Sequence, residues 1–230
     1  MFFPERITRI AAGHRVLEIG PGADPHPRSD VFLEMAFDDP AEYAKQFGHN
    51  RPLQTNKEVV FYNGRTFPFA DGTFDYVICS HVLEHVPDVE GFMSEVFRVA
   101  PRGYMEYPLC YYDHLYNIPA HLNFLKYDGS VLRYMKKSDS SIAASGPIHA
   151  FLFDSLVKGY TRTLNDLLPY FMEGFEWEAP FRIERTQHLQ ELCHRGYELP
   201  PFVERPLHTY GPRRLLKELL NSIRLRGTYR

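Results

Sequence analysis

An α/β fold, with a doubly wound, mostly parallel sheet followed by a C-terminal cap or elaboration, is what this 230-residue chain predicts. Three observations carry that prediction. The apolar, β-prone run Val16 to Ile19 meets a loop with two glycines, Gly20 and Gly22. That is the pattern of a buried parallel strand feeding a turn where the backbone must come close to something. From residue 15 to 107, strand-like runs alternate with loop and helix-like stretches, as βαβ units do. After Pro108 the alternation gives way to Tyr, Phe, His and Pro with mixed periodicity, which reads as a cap and sheet-completing region.

The length suits one domain with an elaboration better than two full domains. We therefore expect a single domain over 1–230, with a core at 1–107, a cap at 108–180, and sheet completion and a terminal helix at 181–230. A content of 44% hydrophobic and 24% charged residues is ordinary for a globular protein. The net charge of −3 gives no broad basic footprint, so no nucleic-acid partner is expected. No apolar run is long enough to span a bilayer, and Met1-Phe-Phe-Pro followed by charges is not a secretory signal. Cys79, Cys110 and Cys193 are scattered, which suits reduced thiols and a cytoplasmic setting.

Taken in order, Pro4 to Ala12 predicts a short leading helix with proline in its first turn. A strand over 15–19 follows, then a proline-rich loop, then a second strand at Val31-Phe-Leu-Glu34. Only eight residues separate Gly22 from Val31, too few for the usual helical crossover. Extended, they span roughly 26 Å, enough for a helix-free connection. A helix from Pro40 to Phe47 is expected, with Asp38 and Asp39 at its start. Glu58–Tyr62 reads as strand three, Phe74-Asp75 opens strand four, Asp88 to Val99 is an amphipathic helix, and 102–107 is strand five. Asp128-Gly129 between two apolar runs marks a hairpin, and Phe181-Arg-Ile-Glu is a late strand.

Several of these stretches occur in the order of the class I S-adenosylmethionine (SAM)-dependent methyltransferases. Leu17-Glu-Ile-Gly-Pro-Gly22 resembles that family's first motif, and Phe67-Pro-Phe-Ala-Asp-Gly-Thr-Phe-Asp75 resembles its linked later motifs. The resemblance implies a Rossmann-like fold, methyl transfer, and SAM as cofactor. It implies that Glu18 lies near the amino acid part of SAM and that Gly20 and Gly22 let the cofactor sit against the backbone. Asp24 stands where the family often has a third glycine, and Asn63 where it often has Asp. Asn63 and Gly64 are implied at the adenine edge. Glu34, an acid at a strand end, is placed to accept hydrogen bonds from both ribose hydroxyls. Ser80 and His81, at the end of strand four, complete the expected cofactor set.

His81-Val-Leu-Glu-His85 also spells His-x-x-Glu-His, the signature of inverted zinc peptidases. A zinc hydrolase using His81, Glu84 and His85 needs a third ligand downstream, and the sequence singles none out. Methyltransferases of similar sequence carry Leu-Glu-His without metal, so no metal is expected. The function expected is SAM-dependent methylation of a small-molecule or glycan-type acceptor, the alternatives being a SAM-binding protein without transferase activity or the zinc hydrolase. His85 and His121 are the candidate catalytic groups, since a base helps where the nucleophile is a hydroxyl. Tyr111, Tyr112, His114, His121 and Asn123 follow strand five and are expected at the acceptor. Arg213 to Arg226 reads as a basic amphipathic helix that packs on the domain or a second subunit, or else contacts an anionic membrane surface.

Overall fold

The computed structural model describes residues 1–36, 53–155 and 170–193. All of them belong to one compact unit, Met1–Cys193. In chain order the strands are β1 (Val16–Ile19), β2 (Val31–Met35), β3 (Glu58–Tyr62), β4 (Tyr76–Ser80), β5 (Gly103–Pro108), β6 (Asn123–Tyr127), β7 (Val131–Lys136), β8 (Met172–Trp177) and β9 (Arg182–Arg185). Six of them form one sheet in the order β3-β2-β1-β4-β5-β8, and β6-β7-β9 form a second. The first five are mutually parallel and β8 closes the β5 edge antiparallel. Strand order reverses between β1 and β4, the switch point at which open α/β sheets leave a crevice for ligands.

Alternation along the central strands sets the two faces. Leu17 and Ile19 of β1 share one buried cluster with Val77 and Cys79 of β4, while Val16, Tyr76, Ile78 and Tyr104 form another. The first face is covered by helix α1 (Val89–Val99), which buries Val89, Phe92, Met93, Val96 and Val99. Each such burial is worth roughly 1.5–3 kcal/mol against exposure. Asp88 caps α1 by accepting the Gly91 N–H at 3.0 Å. Ile7 and Ile10 of the amino-terminal segment pack against the second face.

That segment is not the helix expected over Pro4 to Ala12. It makes one 3-10 turn, Pro4–Arg6, and then extends. Its backbone donors go to side chains of the sheet instead. Phe2 and Phe3 donate to the Glu106 carboxylate, and Thr8 and Arg9 donate to Glu176.

The link from β1 to β2 contains no helix, as the short spacing predicted. The hairpin of β6 and β7 forms at Asp128-Gly129, where Gly129 has φ +97° and Asp128 accepts from the N–H groups of Ser130 and Val131. Strand β8 and helices α2 (Cys110–Tyr116) and α3 (Gly146–Ser155) were not foreseen. The expected helices over 40–47, with Asp38 and Asp39, and over 213–226 lie outside the described residues. Among the described residues no helix is long and apolar enough to cross a membrane.

Candidate functional site

A cavity of about 820 Å³ opens at the carboxyl ends of β1 to β4. Its wall brings together Gly20, Glu34, Asn63, Gly64 and His81 of the expected cofactor residues, together with His85. The volume lies inside the range of small-molecule sites.

Each lining residue is placed by local chain geometry. Gly20 follows β1 at φ +60°, its N–H donating to the Leu33 carbonyl at 2.9 Å. A Cβ there would stand 2.7 Å from Val82 Cγ2, so only glycine leaves the wall open. Glu34 sits near the end of β2, 8% exposed, where its Oε1 accepts the Met35 N–H at 3.0 Å. Burial raises its carboxyl to about 7, only partly offset by that hydrogen bond. Just past β3, Asn63 and Gly64 form a tight turn. Asn63 Oδ1 accepts the Arg65 N–H at 3.2 Å and Gly64 has φ +80°.

The other expected cofactor residues stand back from this wall. Glu18 is buried, and its Oε2 accepts from the His26 N–H at 2.8 Å and the Ser29 hydroxyl at 2.6 Å. Burial raises its pKa, and those two hydrogen bonds oppose the rise. It thus holds the loop that carries Gly22 (φ +60°) and the exposed Asp24. Ser80 donates to Glu106 Oε1 at 3.0 Å.

His81 has a left-handed backbone (φ +56°), so the stretch to His85 is not a continuous helix; only Leu83–His85 forms a 3-10 turn. Its two ring nitrogens reach Glu84 Oε1 at 3.2 Å and Glu106 Oε1 at 3.0 Å. Burial favours the neutral ring, but the two carboxylates outweigh it and raise the His81 pKa to about 9. Glu84 is fully buried. Burial pushes its carboxyl up, yet the His81 hydrogen bond and the charges of His85, His81 and His121 hold it down at about 2. For His85 burial dominates and lowers the pKa.

His121 comes from the loop before β6 and meets His85 edge to face, ring centroids 5.0 Å apart. One donor atom from each of Glu84, His85 and His121 lies within 4.8 Å of the others. The zinc-hydrolase reading lacked a third donor near His81, Glu84 and His85, and the fold places His121 beside Glu84 and His85. What the sequence did not show was that His121 would join Glu84, which is wholly buried between the two histidines.

Other residues expected at the acceptor serve the packing. Asn123 donates its amide to the carbonyls of Leu83 (3.0 Å) and Val86 (2.7 Å). His114 donates to the Cys110 carbonyl at 2.7 Å, and Tyr111 and Tyr112 pack among apolar neighbours. Leu122 is the residue of 109–180 that reaches the large cavity, among the described residues. Sequence reasoning also missed Arg65, Thr66, Asp88, Ser94 and Glu95 on its wall.

Residues 32–105 match a family model described as a methyltransferase domain. Over 101 residues the chain is 32% identical to sterol 24-C-methyltransferase erg6 of Schizosaccharomyces pombe, a match covering 41% of this chain and 27% of that protein. The chain therefore spans about a quarter of that relative's length. Among solved structures, the YcgJ protein from Bacillus subtilis is similar at 23% identity and a TM-score of 0.37, covering 49% of this chain and 56% of that one. BH2331, a candidate methyltransferase from Bacillus halodurans C-125, is similar at 18% identity and a TM-score of 0.38, covering 51% and 59%.

Proposed function

We propose that this protein is a SAM-dependent methyltransferase acting on a small-molecule or glycan-type acceptor in the cytoplasm. The observation that carries the reading is the convergence of Gly20, Glu34, Asn63 and Gly64 on one cavity at the sheet's switch point. The methyltransferase-domain match over residues 32–105 supports it.

The residues fit such a cofactor. Gly20 carries no side chain where one would strike Val82, and Glu34 offers a buried carboxyl on the same wall as the Asn63-Gly64 turn. Glu34 would accept the ribose hydroxyls, and Asn63 with the Gly64 N–H would meet the adenine edge. When bound, SAM supplies a methyl group already activated on a sulfonium. The protein's part is then to hold a nucleophile in line and exclude water. His85 and Leu122 also line this cavity, and the acceptor would be held beside them. Net charge −3 speaks against a polyanionic acceptor.

Calorimetry with SAM and with its demethylated product tests the cofactor. Both should bind, and Glu34→Ala should weaken binding by about 1–3 kcal/mol, the scale of hydrogen bonds to a charged group. A folded wild type that binds neither would overturn the reading. A screen of small hydroxyl- and amine-bearing acceptors with labelled SAM then separates a transferase from a protein that only binds the cofactor.

A further inference from the structure

We propose that Glu84, His85 and His121 bind a divalent transition-metal ion in the cavity wall, Zn²⁺ being the ion their donor set suits. Two imidazoles and one carboxylate are a known set for zinc sites that keep one position open to an exogenous ligand. The inference does not rest on methyl transfer, because its readout is metal binding itself.

The tautomers are already fixed. His85 donates Nδ1–H to the Ala120 carbonyl at 3.0 Å, and His121 donates Nδ1–H to the buried Asp113 carboxylate at 2.7 Å. Both rings therefore keep their lone pair on Nε2. A ligating histidine is held in this way, with its other nitrogen donating to a carbonyl or a carboxylate. His85 Nε2 lies 3.9 Å from Glu84 Oε1. The spread of the three donor atoms, within 4.8 Å, is one that small side-chain rotations close around a shared ion with bonds of about 2.0–2.2 Å.

The second observation is an orphan. Glu84 Oε1 receives the His81 ring N–H, but Glu84 Oε2 is buried without a hydrogen-bond partner. Leaving such an oxygen unpaired is costly. The His85 and His121 imidazoles stand beside the same carboxylate. A cation satisfies the carboxylate and both rings together, which no added proton does.

The position is reachable. His85 lines the large cavity, and His121 lines a second one of about 250 Å³ beside Pro87 and Leu122. Lys136 and Lys137, near that second opening, are not competing cations in the cluster. Lys136 donates to the Pro87 carbonyl and Asn123 Oδ1, and Lys137 donates to Asp113 and the Ile118 carbonyl. The open coordination position would take a water or hydroxyl oxygen from the large cavity.

The test uses the full chain, stripped with a chelator and titrated with Zn²⁺ and with Co²⁺, with metal content read by elemental analysis. One equivalent should bind, and the Co²⁺ form should show the visible bands of a low-coordinate nitrogen and oxygen site. Glu84→Gln and His121→Ala should each weaken binding at least tenfold, while His114→Ala, outside the cluster, should leave it unchanged. Glu84→Gln also breaks the bond to His81, so His121→Ala decides, with circular dichroism reporting the fold. Wild type that takes up no stoichiometric metal would overturn the site, as would equal affinity in folded His121→Ala.

Discussion

Glu18 Oε2 accepts the Ser29 hydroxyl at 2.6 Å, across the loop that joins β1 to β2. The same oxygen accepts the His26 N–H, and Asp30 pairs with Val16 through both its backbone and its side chain. These ties let a proline-rich loop do what a crossover helix usually does, returning the chain parallel with Leu17 opposite Val31. Ser29→Ala should therefore cost about 1–2 kcal/mol, the penalty of leaving a buried acceptor short of a partner. It should also weaken SAM binding, because Gly20 and Gly22 sit on that loop. Urea denaturation and calorimetry on the one variant check both, and an unchanged midpoint would remove Glu18 as the loop's anchor.

Glu34 gives the pH dependence. Its carboxyl is raised to about 7 in the folded protein, well above the usual carboxylate range. The folded state thus holds a proton that the unfolded chain has already lost. Between about pH 4.5 and 7, Glu34 makes stability fall as pH rises. Ribose hydroxyls donating to the carboxylate favour the charged form and pull that pKa back down. SAM affinity should accordingly rise from roughly pH 6 to 8, with proton release on binding near neutrality. The release is read from the dependence of calorimetric enthalpy on buffer ionisation. Glu34→Gln should bind more weakly at pH 8 and show no such dependence; a flat wild-type profile would detach Glu34 from the ribose.

Gly20 and Val82 should behave as a coupled pair. Gly20→Ala costs about 1–2 kcal/mol for its left-handed backbone. It costs about 1–3 kcal/mol more for the contact of its Cβ with Val82, 2.7 Å away. In Gly20→Ala/Val82→Ala the steric part should return and the backbone part should not. A double-mutant cycle by chemical denaturation isolates the coupling, which should exceed about 1 kcal/mol. Additive effects would mean that the wall yields without strain.

How much could be read from the sequence depended on where each element's partners lay. Strands β1, β2 and β4 are buried and apolar, so their sequences announce them. Strand β8 (Met-Glu-Gly-Phe-Glu-Trp) does not look like a core strand. Its glutamates are consumed by distant groups: Glu173 receives the Tyr107 hydroxyl and Lys126, and Glu176 receives the Tyr76 hydroxyl. It becomes a strand because β5 offers an open edge. The leading helix failed likewise, its backbone donors drawn off by Glu106 and Glu176. On the cavity wall, the positions of Gly20, Gly64 and Glu34 were legible because each follows from its own strand end. The meeting of His121 with Glu84 was not. It needs Asn123 to clamp the carbonyls of Leu83 and Val86 and the Leu122 N–H to reach the Glu84 carbonyl at 2.7 Å, contacts between segments far apart in the chain.

Asp113 supplies the remaining prediction, because it holds His121 without reaching the cluster itself. Its carboxylate receives His121 Nδ1–H at 2.7 Å, the Ile118 N–H at 3.1 Å and Lys137 at 3.0 Å. Such an outer partner fixes the ring and raises its basicity toward a metal. Asp113→Asn keeps the shape and can still accept from His121, but it removes the charge. Zn²⁺ affinity should fall about 10–100-fold, the usual effect of losing an outer-shell carboxylate. SAM affinity should stay within error, since Asp113 is not on the wall of the large cavity. Some stability should be lost as well, because Lys137 would keep its charge half-buried beside a neutral amide. Measuring metal affinity, SAM affinity and melting temperature on the one variant separates these effects. If Zn²⁺ and SAM affinity fell by the same factor, Asp113 would act through the fold as a whole and not through the orientation of His121.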